Sequence, residues 1–302
     1  MVSLSIDDLT GLKEQYEKDG FAIIRNVVDA DLIQEVSQHV DWLCQKYPEL
    51  RPEHLHHPLM RDDAFWVRLV TDERFVKIVS QLLGPNLACF TAHYICKPPR
   101  DGYAVFWHQD GAYWRLDPLE AVTLWLAVDE TNPERGCLRM IPGSHKLPLQ
   151  PIQYRSDIPN MLSSSLANLD LVDEAKAVDV ILKPGDVSIH HPCIIHGSEQ
   201  NTSSYRRCGL DLGFMKASTK ITNTGLYLNP ILVSGKAVAS NYYRAWPLYQ
   251  ADQTIPFRGD ESWNNKAQYM NQRFNHVQNM NEDPLAMTKR MMQRLDEGTV
   301  KS

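Results

Sequence analysis

The chain has 302 residues, of which 43% are hydrophobic and 23% charged, the make-up of a globular protein able to bury a sizeable core; β-rich single domains reach this length. Its formal net charge of −6, with no block of clustered Lys and Arg, argues against nucleic acid or an anionic membrane surface as partner. No apolar run approaches the length of a membrane span, and the acidic residues near the start fit neither a signal peptide nor a transit sequence.

In chain order, "SIDDLTGLKEQYEKDG" spaces Leu9, Leu12 and Tyr16 at helical intervals and predicts a helix closed by Gly20. "FAIIRNVV" reads as a short buried strand. "DADLIQEVSQHVDWLCQKY" returns to the helical period with Asp29 as its N-cap, and "DERFVKIVSQLLG" predicts a helix ending at Gly84. Between them "HLHHP", His54 to His57, is Pro-flanked without nearby carboxylates or thiols, and reads as a mobile loop that could line the entrance to a site. From about Asn86 short apolar runs alternate with Gly, Pro and Asp, as in "LACFTAHYICKPP", "AVTLWLAVDE" and "RCGLDLGFMKA". That texture predicts an all-β sandwich or barrel. Residues 218–302 are mixed, with an aromatic patch (Tyr242, Tyr243, Trp246, Tyr249) expected to pack on the sheet and a terminal helix in "EDPLAMTKRMMQRLDEG". Without repeats or a long linker, the expectation is one domain over 1–302: a helical flank (1–85), a β core (86–217) and a C-terminal extension (218–302). The six cysteines, Cys44, Cys89, Cys96, Cys137, Cys193 and Cys208, form no C-x-x-C pair, and the ending "TVKS" is not the S-K-L peroxisomal address. Free thiols in the cytoplasm are expected by elimination.

The chemistry begins at "FWHQDGAYW", Phe106 to Trp114, where a histidine and an aspartate stand two residues apart in an aromatic run. On an extended backbone His108 and Asp110 share a face while Gln109 points away. Burying such a pair calls for a strong partner, and a metal ion is one. "LKPGDVSIHHPCIIHGSEQN" then offers His190, His191 and His196 as a third ligand. Two histidines and a carboxylate with open positions form the facial triad of non-haem iron(II) oxygenases. Two adjacent cations, Arg206 and Arg207, follow in "YRRCGL".

Taken in order, "EKDGFAIIRNVVDADLI", "FWHQDGAYW", "GCLRMIPGSHK", "LKPGDVSIHHPCIIHGSEQN" and "YRRCGL" resemble the phytanoyl-CoA hydroxylase (PhyH-like) family of Fe(II)/2-oxoglutarate-dependent dioxygenases, a resemblance that fades after about Lys216. It implies a mainly β fold with flanking helices, a double-stranded β-helix (jelly roll, cupin-like). It implies iron(II), 2-oxoglutarate and O₂ as cofactor and cosubstrates, His108, Asp110 and His196 as metal ligands, and hydroxylation or another oxidation of a small-molecule substrate with release of succinate and CO₂. The family's cosubstrate arginine lies eleven residues beyond the distal histidine, which falls on Arg207; Arg206 is then an outward, solvated charge. His190 and His191 become strand-end or pocket-wall residues, and His145 belongs to a turn. Trp125 matches an aromatic pocket position, against the reading of plain core. Lys97 and Arg100, in "CKPPRDG", are candidates to meet the cosubstrate or an acidic substrate group, against the reading of exposed loop cations. The rival functions are a non-catalytic binding or sensor protein with a vestigial metal site, and a zinc hydrolase, which would leave Arg207 unexplained.

Overall fold

The computed structural model describes residues 3–222, 230–238, 243–273 and 283–296. Its strands are β1 (Ser3–Ser5), β2 (Phe21–Arg25), β3 (Leu55–His56), β4 (Leu87–Lys97), β5 (Val105–His108), β6 (Leu116–Asp117), β7 (Ala121–Ala127) and β8 (Leu138–Met140). There follow β9 (Ile152–Tyr154), β10 (Ser164–Leu166), β11 (Val178–Val180), β12 (Val187–His190), β13 (His196–Ser198), β14 (Arg207–Lys216), β15 (Lys220–Ile221) and β16 (Ile231–Ser234). The helices are α1 (Leu12–Asp19), α2 (Ala30–Lys46), α3 (Ala64–Val70), α4 (Glu73–Leu83), α5 (Asp260–Arg273) and α6 (Pro284–Asp296).

Two sheets carry the architecture. The larger runs β1-β2-β12-β7-β14-β4-β16, with β3 also paired to β4; the smaller runs β11-β8-β13-β5. Strand β7, "AVTLWLA", shows why they stack, because it is buried along its whole length. Val122, Leu124 and Leu126 face the helical layer with Leu32, Phe65 and Ile78, whereas Trp125 and Ala127 face Leu138 and Met140 of the smaller sheet. A strand covered on both sides reads as a continuous apolar run rather than an alternating one. The mainly β expectation with flanking helices therefore holds. The sheet also recruits strands from both ends of the chain: β1, β2 and β3 precede residue 86 and β16 follows residue 217. β1 and β3 are too short to leave a period in the sequence.

The helix boundaries follow their local chemistry. Gly20 closes α1 in the left-handed region (φ 84°), donating its N–H to Tyr16 O, and a Cβ there would lie 2.5 Å from His145 Nδ1. Asp29 caps α2 by accepting from the Leu32 N–H at 2.9 Å. The same carboxylate meets Arg74 at 2.9 Å and Arg258 at 3.0 Å, so it ties three segments together. Helix α4 ends at Gly84 as expected. Tyr243 and Trp246 pack as predicted. Tyr243 Oη donates to Ala217 O, and Trp246 stacks on Trp263 with ring centroids 5.6 Å apart. Tyr249 packs edge-on to Phe257, and Tyr242 lies outside the described residues. All six cysteines are free, and no described helix is long and apolar enough to cross a membrane.

Asp29→Ala should lower unfolding stability by about 1 kcal/mol in a denaturant titration, while Asp29→Asn, which keeps an acceptor at the cap, should retain most of it. Equal losses for the two would show that the ion pairs rather than the cap carry the effect.

Candidate active site

The centre is built from one pair of strands in the smaller sheet. His108 at the end of β5 and His196 at the start of β13 are register partners, with ring centroids 4.1 Å apart. Each imidazole donates its Nδ1–H to a carbonyl two residues back, His108 to Phe106 O (2.8 Å) and His196 to Ile194 O (3.1 Å). That fixes the tautomer and leaves both Nε2 lone pairs facing the cavity. Gln109 keeps extended torsions (φ −123°, ψ 124°), so the alternation of faces persists to Asp110, where the chain turns into a single 3₁₀ turn. Asp110 Oδ1 then lies 3.4 Å from His108 Nε2 and 3.6 Å from His196 Nε2. Gln109 points away, as expected. Its amide donates to Cys193 O (2.7 Å) and accepts from the Gln150 N–H (2.8 Å), pinning the turn that delivers His196.

The second carboxylate oxygen is held by protein. Thr123 Oγ1 donates to Asp110 Oδ2 at 2.6 Å, and His190 Nε2 lies 3.2 Å from the same atom. Burial pushes the Asp110 carboxyl up, but the imidazoles around it, His196 first and then His108 and His190, outweigh it and hold it well below the usual carboxylate range. Burial, and then His108, pushes His196 down to about 3. A carboxylate beside an unprotonated imidazole is the state a metal requires of its ligands. His108, Asp110 and His196 offer donor atoms all within 4.8 Å of one another, which fits a divalent iron ion. Asp110, His190 and Asp211 also meet that distance. His190 there has its Nε2 turned to the Asp110 oxygen that Thr123 already holds, so the first set is the better donor group. His191 sits outside both sets, accepting from the Cys193 N–H, and His145 lies in a 3₁₀ turn with its Nε2 at Glu17 O, as its turn reading predicted.

The central strands of the larger sheet supply the floor. Alternation along β14 puts Arg207, Gly209 and Asp211 on one face. Arg207 is 0% exposed; its guanidinium donates to Gly136 O (2.7 Å) and leaves Nε without a protein partner. Burial pushes its pKa down to about 10. Gly209 makes room for Trp125, since a Cβ there would lie 1.8 Å from the ring carbon Cζ2. Trp125 is buried among core residues with its ring 5.6 Å from the Arg207 guanidinium and its Nε1 unpaired. Two expectations need correction here. Lys97 is no exposed loop cation: it ends β4 fully buried, opposite Arg207, and its ammonium donates to Ser198 Oγ (2.7 Å) and to Glu199 O. Arg206 does point away from Arg207, but its charge is engaged, in a two-pronged contact with Asp129 (2.8 and 3.0 Å) and a 3.1 Å bond to Asp41 on α2. Arg100 is exposed, as read.

One cavity joins His108, Asp110 and His196 to Arg207. The histidine segment expected to be a mobile loop is instead packed. β3 pairs with β4, His56 stacks on His93 at 3.9 Å, and both rings line the cavity. Asp211 also lines it, and burial, followed by the charge on Asp110, pushes this carboxyl well above the usual range. Sequence reasoning missed Thr123, whose only signal was its place two residues before Trp125. It also missed Asp211, which counting two positions beyond Gly209 would have flagged.

Residues 16–209 match the phytanoyl-CoA dioxygenase (PhyH) family. The chain belongs to that family. With it, this protein is an Fe(II)/2-oxoglutarate-dependent dioxygenase, and its cofactor and cosubstrates are iron(II), 2-oxoglutarate and O₂. Peroxisomal phytanoyl-CoA dioxygenase of Bos taurus is 29% identical over 233 residues, covering 67% of each chain. The PhyH chain also shares its fold with the non-heme monooxygenase ThoJ (TM-score 0.68, 20% identity, 95% of this chain and 99% of that one). The epimerase SnoN, solved with Fe3+, alpha ketoglutarate and nogalamycin RO, superposes with TM-score 0.59 and 23% identity over 72% of this chain and 87% of its own.

Thr123→Val should weaken iron(II) binding roughly 10- to 100-fold in a chelator competition, because Asp110 loses the hydroxyl that orients it. Gly209→Ala should cost about 1–3 kcal/mol of stability through overpacking, and much less in a Trp125→Ala background, where the clashing ring is gone. Additive losses in that double-mutant cycle would refute the close approach.

Proposed function

We propose that the chain oxidises an unactivated C–H bond of a small organic substrate, hydroxylation being the default outcome, with release of succinate and CO₂. In this reading residues 1–302 form one domain whose two stacked sheets are a double-stranded β-helix. The face-to-face packing of Trp125 and Ala127 on Leu138 and Met140 supports that description. His108, Asp110 and His196 hold the iron, Thr123 and His190 orient Asp110, and Gln109 fixes the turn before His196. Arg207 receives the far carboxylate of 2-oxoglutarate, Trp125 forms the wall beside it, and Lys97 steadies Ser198 at the cavity edge.

The observation that carries the reading is Arg207. A guanidinium withdrawn wholly from water, with its Nε unpartnered, opens on the same cavity as the three donor groups. An incompletely paired buried cation is costly, and a carboxylate satisfies it with charge-assisted hydrogen bonds in a planar fork. Bound iron(II) supplies the redox chemistry that couples O₂ reduction to decarboxylation of 2-oxoglutarate and removal of a substrate hydrogen. The residues of the chain bind, orient and exclude water. The imidazole tautomers are preset by the Phe106 and Ile194 carbonyls, and the layered sheets keep solvent from the Arg207 end. A zinc-hydrolase role would leave that cation without a use.

Succinate formation with iron(II), ascorbate and 2-oxoglutarate should depend on His108, falling to background in His108→Ala. Arg207→Met should raise the KM for 2-oxoglutarate roughly 10- to 100-fold, the loss of a charge-assisted pair, while Arg206→Met leaves it within about twofold. The reverse pattern would assign the cosubstrate to the other arginine and sink the proposal.

A further inference from the structure

Asp211 lies four positions beyond Arg207 along β14, roughly 13 Å at the rise of a strand. Both side chains reach the cavity, and Asp110 offers a carboxylate oxygen within 4.8 Å of Asp211. Asp211 has no hydrogen-bond or ion-pair partner among the described residues, in contrast to Asp63, Asp129 and Asp186, each of which is matched by protein groups. Its register neighbours across the sheet are His93 and Trp125. Beyond it the cavity is walled by Tyr113, Trp114 and Met161.

Among the described lining residues Arg207 is the single Lys or Arg. Charges in the loaded site are then balanced without Asp211. The two positive charges of iron and that of Arg207 are matched by Asp110 and the two carboxylates of 2-oxoglutarate. An acidic substrate would find no cation left to pair with and would face a carboxyl group. A basic one would find both a carboxyl and aromatic faces, the pair of features that holds an ammonium out of water. We infer that Asp211 is the substrate-recognition residue of this site, and that the substrate class is an organic amine whose ammonium binds Asp211 while its carbon skeleton lies along Tyr113, Trp114 and Met161. The inference rests on the dioxygenase reading of the same cavity. It places the oxidised carbon a few bonds from the basic nitrogen, because the carboxyl lies so near the donor set.

The test is anaerobic calorimetric titration of the iron(II)–2-oxoglutarate complex with three matched probes: 4-phenylbutylamine, 4-phenylbutanol and 4-phenylbutyrate. The amine should bind at least tenfold more tightly than the alcohol and the acid, a factor of the size of one charge-assisted pair. Asp211→Asn should abolish that preference, with Asp211→Ala as a second removal of the carboxyl group, and both should bind 2-oxoglutarate within twofold of the unsubstituted protein. An amine that binds no better than the alcohol, or a preference that survives both substitutions, overturns the inference. Binding of 2-oxoglutarate is read separately from its absorption band with iron(II). A missing band marks failure of the dioxygenase reading, and a band without amine preference marks failure of this one.

Discussion

Everything at the centre depends on two imidazoles facing each other across adjacent strands, each tied through Nδ1 to the carbonyl two residues behind it. In each case the tie runs to a backbone carbonyl. It decides which nitrogen keeps a proton. Both remaining lone pairs, and one oxygen of Asp110, are thereby turned to a single point in a region where burial disfavours protonation of His196. A cluster of this kind is unstable as an empty set of acceptors: three electron-rich groups converge with no donor between them. A divalent cation held by these three groups would remove the conflict.

Strand β14 gives the cavity its second constraint. With side chains alternating, the strand presents a cation, a gap and a carboxyl in sequence, Arg207, Gly209 and Asp211. The gap belongs to Trp125, which enters from β7 and seals the cation's end with core. Lys97, on the neighbouring strand, is buried beside the cation at its own cost, compensated by Ser198 and the Glu199 carbonyl. The two positive groups repel, and burial with Arg207 nearby pushes the Lys97 ammonium well below its usual range. An anion arriving at Arg207 relieves that repulsion as well as filling the vacant Nε position.

Much of this was legible in the sequence, and the limits are physical. The H-x-D pair could be placed because alternation in an extended segment is a local rule, and it held through Gln109. Caps at Asp29, Gly20 and Gly84 are equally local. Arg207 and His196 came from resemblance, since neither spacing nor composition separates them from Arg206, His190 and His191. What failed was burial of polar residues far apart in sequence. His56 gains its place only when β3 joins β4, and Lys97 only when β13 folds back over β4, so a Pro-flanked histidine run and a basic loop edge looked like solvent-facing chain. Asp211 was passed over inside the core strand "RCGLDLGFMK", where its one signal was the two-residue step that puts it on the face of Arg207 and Gly209.

The most direct measurement is a crystal structure of the protein grown anaerobically with iron(II) and 2-oxoglutarate. The account predicts the ion on His108, Asp110 and His196 and the distal carboxylate of the diacid on the Arg207 guanidinium. An ion seated instead on His190 and Asp211, or a diacid that leaves Arg207 untouched, would contradict it.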